Sequence, residues 1–271
     1  MTLESWMPVF RRAAENVRRV VKPLIGTADA GEVVTVKTEG DVTSKVDDLA
    51  EEAAVKALED SGMDFSLVSE ESGRSFFGKC KSETTIILDP IDGSANAIRG
   101  IPAYSFSIAA ATGKCLSDVH EALVVDLARG EYYEGEFRKG AKCNGISISP
   151  SKVERLSESM ISADLNIVDL RVYMKRILRV LNVAKRKRYL GTNALEICFV
   201  ASGKYDAFID LRGIARVTDI AAAYLVLEEA GGVMVGRNGA EVNVELLPTS
   251  KLSFIAAANR SLCRNIILNV G

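Results

Sequence analysis

Apolar residues recur at helical spacing through the first stretch of the chain. Trp6, Phe10, Ala13, Val17, Val20, Val21 and Leu24 predict a helix from about residue 4 to Gly26. The β-branched run Val33–Val36 predicts a strand, and Lys37-Thr38-Glu39-Gly40-Asp41 a polar loop. Val46, Leu49, Ala53, Ala54 and Leu58 predict a second helix from Thr43 or Ser44 to Gly62. Phe65–Val68 reads as a short strand ending in Ser69-Glu70-Glu71-Ser72-Gly73, and Thr84–Leu88 as a buried one. A helix then starts near Ser94, followed by strands over 105–111 and 121–127. Arg129-Gly130-Glu131 turns the chain into a strand at Tyr132-Tyr133, and 136–150 reads as a hairpin punctuated by Gly140 and Gly145.

Beyond about residue 155 the pattern becomes an alternation. Strands are predicted at 159–163, 187–190, 206–210, 233–235 and 253–257, with helices over 167–181 and 192–202. A further helix starts near Asp219 and stops at Gly231-Gly232, and a short one closes the chain. The fold class is therefore α/β, with an α+β first half over 1–150 and an α/β second half over 151–271, joined near Pro150.

Composition narrows the function classes. With 48% apolar and 26% charged residues the chain reads as an ordinary soluble globular protein. A net charge of −2 argues against a general nucleic-acid partner. No apolar run approaches the roughly 18 residues of a membrane span, so no membrane partner is expected. Glu4, Arg11, Arg12 and Glu15 spoil a secretory signal, and five scattered cysteines without a Cys-x-x-Cys pair fit a reducing cytoplasm. His120, the only histidine, reads as a surface residue beside a hairpin strand, which leaves little room for a Ser-His or Cys-His nucleophile.

The candidate chemistry lies in Leu88-Asp89-Pro90-Ile91-Asp92-Gly93-Ser94-Ala95-Asn96. Two carboxylates about 4 Å apart repel by roughly 1 kcal/mol in water and about 4 kcal/mol near a protein surface. A shared proton or a multivalent cation relieves that repulsion, and an Asp-Gly turn capping the following helix is the alternative reading. The company of these acids favours the cation. Glu70 follows a strand, Asp219 opens a helix, and Asp41 and Asp47 flank the start of another. Six acids at element ends, without histidines or paired cysteines, suit a hard, oxygen-seeking ion such as Mg²⁺. The Gly93 and Ser94 amides at a helix N-terminus can hold phosphate oxygens. Cations beside an anion cradle describe phosphoryl hydrolysis.

Asp89-Pro90-Ile91-Asp92-Gly93-Ser94-x-Asn96 resembles the signature of the inositol monophosphatase family, whose wider superfamily holds fructose-1,6-bisphosphatases and 3′-nucleotide phosphatases. Asp219-x-Ala221-Ala222 through Glu229-Ala230-Gly231-Gly232 is similar to its second signature. Gly40-Asp41-x-Thr43-x-x-x-Asp47 and Ser69–Gly73 match its upstream motifs in order and spacing. The resemblance covers about residues 30 to 258. It implies a layered α-β-α-β-α sandwich, usually a homodimer, with the site between the two halves. It further implies that Glu70, Asp89 and the Ile91 carbonyl bind a first Mg²⁺ that holds the attacking water. Asp89, Asp92 and Asp219 would bind a second ion at the leaving alkoxide, and a weaker third would lean on Glu70. Ser94 with Asp47 would take the proton of the water, the Gly93 and Ser94 amides would grip the phosphate, and Lys37 and Asp41 fall in a mobile loop that shields the metals. Mn²⁺ could replace Mg²⁺, with Ca²⁺ and Li⁺ as inhibitors.

Some positions depart from the common pattern. Ser94 stands where many members have threonine, and Thr218 precedes Asp219 where many have tryptophan. Asp210-Leu211-Arg212-Gly213-x-x-Arg216-x-Thr218-Asp219 instead resembles the archaeal branch, whose members often hydrolyse both inositol phosphates and fructose 1,6-bisphosphate. Asn193 replaces a small residue that touches the inositol ring in animal enzymes. Asp210 and Asn193 are thus candidate substrate contacts, and Arg212 and Arg216 candidates for a second phosphate, while the run Lys185-Arg186-Lys187-Arg188 is most simply a solvated strand edge and alternatively part of that second phosphate site. The sequence predicts a Mg²⁺-dependent phosphatase of a sugar or polyol phosphate. A 3′-phosphoadenosine 5′-phosphate or NADP(H) phosphatase is the alternative within the family, and a non-catalytic metal-binding dimeric scaffold the alternative outside it.

Overall fold

The computed structural model describes residues 5–36, 42–80 and 82–270, so Lys37 and Asp41 lie outside the described residues. The chain opens with α1 (Met7–Val21), a two-stranded antiparallel sheet of β1 (Val33–Val36) and β2 (Val42–Ser44), and α2 (Lys45–Glu59). Strands β3 (Phe65–Ser69), β4 (Gly73–Phe77) and β5 (Thr84–Asp92) follow, then α3 (Ser94–Arg99). A meander of β6 (Ser105–Thr112), β7 (Val119–Asp126), β8 (Glu131–Glu136), β9 (Gly140–Cys143) and β10 (Ile146–Ser147) completes an eight-stranded sheet, in the order β10-β9-β8-β7-β6-β5-β3-β4.

The remaining elements build a second sheet. These are β11 (Met160–Ala163), α4 (Leu170–Val183), β12 (Arg186–Arg188), α5 (Asn193–Ala201), β13 (Ala207–Arg216), α6 (Val217–Ala230), β14 (Val233–Val235), β15 (Lys251–Ala257) and α7 (Arg260–Ile267). Its order is β12-β11-β13-β15-β14.

Alternation of side chains along the strands stacks these sheets into five layers. Ile86 and Leu88 of β5 face Phe10, Val17 and Leu58 of α1 and α2, while Ile87 faces the opposite way, toward α5 and α6. Phe254 and Ala256 of β15 join Ile87 on that central layer, and Ile255 and Ala257 point outward to Tyr173 and Ile177 of α4 and Leu262 of α7. The sandwich expected from the family resemblance is therefore present, with α5 and α6 as the filling.

Local chemistry moved several predicted boundaries. Helix α1 stops at Val21 and not at Gly26, because Pro23 has no N–H to donate back into the helix. Strand β4 was not expected from the sequence. Its alternating half-buried and exposed side chains at a sheet edge give no apolar run to read. Strand β5 does not end at Leu88 but continues through Pro90 to Asp92. It does so by an irregularity, in which Asp89 pairs with Ser107 and Asp92 with Ser105. Three steps on β5 thus face two on β6, the count of a bulge, where proline's missing donor is tolerated.

Candidate active site

The bulge in β5 determines where its acids point. In a regular strand, residues three apart face opposite sides. The extra residue between Asp89 and Asp92 restores them to the same side, opposite Ser107 and Ser105. Asp89 is buried, and among the described residues it accepts one hydrogen bond, from the Ile91 N–H at 3.1 Å. Glu70 arrives from the end of β3, which runs parallel to β5. Asp219 arrives from the third position of α6, where its Oδ2 accepts the Arg216 N–H at 2.8 Å. Glu70, Asp89 and Asp219 each offer a carboxylate oxygen, and these three oxygens lie within 4.8 Å of one another.

Three acids so close cannot share a half-buried space cheaply as anions. Burial raises the Glu70 carboxyl to about 8, with repulsion from Asp219 adding to it and Arg216 opposing. Burial likewise lifts Asp89 well above the carboxylate range, helped by Glu70 and Asp92, and lifts Asp219 against its bond from Arg216. An all-oxygen donor set that repels itself fits a hard divalent cation, which satisfies every carboxylate at once. The cluster is therefore suited to hold a metal ion.

Asp92 is not part of this trio. Its carboxylate is turned to the start of α5, accepting Asn193 N–H at 3.1 Å and Ala194 N–H at 2.8 Å. The Thr192 hydroxyl donates to it closely, and the Ser105 hydroxyl donates at 3.2 Å. Burial still raises Asp92 to about 7, against these donors. Asp92 thus ties the eight-stranded sheet to the N-terminus of α5, a partnership that spacing of about a hundred residues concealed in the sequence.

Asp47, on the first turn of α2, is buried. It accepts the Ser94 hydroxyl at 2.6 Å on one oxygen and the Ser44 hydroxyl at 2.6 Å on the other. Burial pushes its carboxyl upward and these two hydroxyls pull it back. Ser94 Oγ also lies 2.9 Å from the Ile91 carbonyl oxygen, so Asp47, Ser94 and Ile91 form one chain of contacts. Gly93 caps α3 in the left-handed region at φ 92°, and an added Cβ would meet the Ala103 carbonyl at 3.0 Å. The Gly93 and Ser94 amides therefore sit at a helix start.

The substrate-side candidates differ in their freedom. The Arg212 guanidinium is only 7% exposed and is already engaged. It donates to both oxygens of Asp210 at 2.9 and 2.6 Å, to the Asn166 carbonyl at 3.0 Å, and pairs with Asp164 at 2.9 Å. Asp210 is fully buried behind it. Arg212 and Asp210 are thus engaged with each other. Arg216 pairs through Nη1 with Glu70 Oε1. Asn193 is buried, and its Oδ1 has no hydrogen-bond partner among the described residues, as is also true of Ser107 Oγ. Lys185 to Arg188 are exposed, three of them in β12 at the edge of the second sheet.

Several buried acids escaped the sequence reading, among them Glu51, Asp126, Asp164, Asp206 and Glu196. Glu196 on α5 is inaccessible, bonded by the Ser162 hydroxyl and by the Gly191 N–H at 3.3 Å, and burial raises it to about 7. The signal was present, since Glu196 is the lone charge in the apolar run Ala194–Ala201.

Comparison with known proteins matches residues 3–268 to the inositol monophosphatase family. A fructose-1,6-bisphosphatase/inositol-1-monophosphatase of Methanothermobacter thermautotrophicus is 38% identical over 97% of this chain and 95% of its own length. A bifunctional NADP phosphatase/NAD kinase of Methanococcus maripaludis is 35% identical over 94% of this chain, which spans only 47% of that protein. Among solved structures, one described as an inositol monophosphatase–fructose 1,6-bisphosphatase superimposes with a TM-score of 0.87. It is 29% identical, with 98% of this chain and all of the other covered.

Proposed function

The chain belongs to the inositol monophosphatase family, a family of metal-dependent phosphatases, and from that premise we propose that it hydrolyses phosphate monoesters of sugars or polyols with Mg²⁺. Inositol-1-phosphate and fructose 1,6-bisphosphate are the leading substrates. The observation that carries this reading is the convergence of Glu70, Asp89 and Asp219, from three separate elements, within 4.8 Å of one another. Glu70, Asp89 and Asp219 would hold the ion, with the Ile91 carbonyl and Asp92 as further candidate ligands. When bound, such an ion lowers the pKa of water and neutralises charge gathering on phosphoryl oxygens.

The chain's own groups then have defined tasks. Ser94 and Asp47 form a proton relay, in which the hydroxyl accepts a proton from the attacking water as it passes its own to Asp47. The raised carboxyl of Asp47 makes it a stronger base for that step. The amides of Gly93 and Ser94 receive phosphate oxygens at the start of α3. Asp92 holds α5 against the site, so that Asn193 borders it. A buried acceptor without a partner costs roughly 1–3 kcal/mol, and a substrate hydroxyl donating to Asn193 Oδ1 would recover that. Such a contact favours a hydroxyl-rich substrate.

The relative that joins NADP phosphatase to NAD kinase supports a second reading, removal of the 2′-phosphate of NADP(H), while 3′-phosphoadenosine 5′-phosphate remains a related candidate. We further expect a cytoplasmic homodimer that accepts Mn²⁺ and is inhibited by Ca²⁺ and Li⁺. No helix of the described residues is long and apolar enough to cross a membrane. The deciding experiment is phosphate release from inositol-1-phosphate, fructose 1,6-bisphosphate, NADP and 3′-phosphoadenosine 5′-phosphate in parallel, with Mg²⁺ and with EDTA. Release from the first two, abolished by EDTA, is the expected result. Nothing from either, with metal supplied, removes the sugar-phosphate assignment.

A further inference from the structure

The fold brings its own cation to the acidic trio. Arg216 ends β13 immediately before α6, so its backbone N–H donates to Asp219 Oδ2 at 2.8 Å while its guanidinium reaches across to Glu70. One residue therefore touches two of the three clustered carboxylates. Its charge works against burial at both, drawing the Glu70 and Asp219 carboxyls downward. The two arginines of this segment contrast sharply. Arg212 is locked by two carboxylates and a carbonyl at 7% side-chain exposure, whereas Arg216 retains 29% and so has a solvent route for its guanidinium.

We propose that Arg216 is a built-in competitor for the divalent ion, holding the trio together by pairing with Glu70 and setting how much free Mg²⁺ is needed to displace it. The inference rests on the metal-dependent reading above. Whichever oxygen of Glu70 an ion takes, a guanidinium on the same carboxylate lies a few ångströms from a dication, and like charges at that range in a half-buried site repel strongly. Binding the ion and keeping the pair are therefore coupled with opposite sign, and that coupling is reciprocal. Arg216 thus acts through Glu70 as a positioning residue. Its service is to keep three repelling acids in register when the ion is absent, at the cost of weaker binding when it is present.

The test is titration of chelator-treated, dialysed protein with Mn²⁺ by calorimetry, at the same fixed pH for every variant and in two buffers of different ionisation enthalpy, so that proton release is counted with metal binding. Arg216→Met, which keeps the side chain's length without its charge, should tighten Mn²⁺ binding about tenfold, within the usual range of coupling between sites. It should also lower the melting temperature of the metal-free protein and widen the gap to the metal-saturated one. Arg216→Lys, retaining the charge, should stay within about threefold of wild type. In turnover, Arg216→Met should lower the Mg²⁺ concentration for half-maximal rate, which a merely structural role would not do. If Arg216→Met fails to fold, Arg216→Gln is held to the same affinity criterion. Unchanged or weaker Mn²⁺ binding by the uncharged variant overturns the proposal while leaving the phosphatase reading intact. A wild-type protein that binds neither Mn²⁺ nor Mg²⁺ overturns both.

Discussion

The two broken strands that build this site treat their acids in opposite ways. Both β5 and β13 lose regular pairing where their carboxylates lie, β5 between Asp89 and Asp92 and β13 between Asp210 and Ala215. On β13 the acid comes with a local cation. Asp210, the carboxylate at its break, is bound by the Arg212 guanidinium two residues on. On β5, Asp89 receives a single backbone donor among the described residues and otherwise faces other acids. One side of the sandwich neutralises itself, and the other leaves charge in need of an outside partner. A polar cluster that satisfies itself is architecture, whereas one left unsatisfied in a buried setting is a candidate for chemistry.

The contrast can be broken by changing one residue on each side. Asp89→Asn should cost roughly 10²–10³-fold or more in phosphate release, the scale of losing a central electrostatic group. The same change should raise the melting temperature of the metal-free protein, because it removes a repelling charge. A fall in stability would place Asp89 among the self-satisfied acids. On the other side, Arg212→Met leaves Asp210 and Asp164 as buried anions without their partner, and should destabilise by about 3–5 kcal/mol in urea unfolding. A loss below about 1 kcal/mol would mean that the pair behaves like an exposed one.

Ser94→Ala should lower kcat by about 10²-fold, the lower range for a positioned acid–base group, with KM less affected. A substrate-binding role alone would move KM instead. The smallest expected effect concerns Glu196, the buried acid on the otherwise neutralised side. Its folded carboxyl titrates at about 7, above the unfolded value, so the folded state binds the extra proton between these limits. Its contribution is fully present below about pH 4.3 and is lost as pH rises through 7. Subtracting the stability profile of Glu196→Gln from that of wild type should expose a slope confined to this window, worth at most about 4 kcal/mol. Parallel profiles would show that Glu196 does not titrate there.

Much of this was legible from the pattern of the chain, and the omissions have physical causes. The faces of α1 and α2 followed from apolar spacing, since each packs one side on a sheet. Asp89, Glu70 and Asp219 were singled out because short motifs placed them at element ends, and the fold draws those ends together. What spacing could not convey was the pairing of charges. Nothing in the sequence says that Arg212 is sequestered by Asp210 and Asp164 while Arg216, four residues later, reaches Glu70 on another sheet. Nor did it suggest that Asp92 would bind the start of α5, because the donors Thr192, Asn193 and Ala194 carry no mark of their partner. Partner choice depends on tertiary approach, which local periodicity does not encode.

The extra residue in β5 also makes the chain's length there a functional quantity. Removing either Pro90 or Ile91 would restore an unbroken pleat with Asp92 still on the side of Asp89, and would remove the bulge in which the Ile91 N–H reaches Asp89 and the Ile91 carbonyl meets the Ser94 hydroxyl. Substitutions in this stretch can be graded in their effects, but a deletion takes away the bulge and its contacts together. Engineers who wish to alter specificity here should therefore leave Asp89, Asp92, Ser94 and the residue count alone.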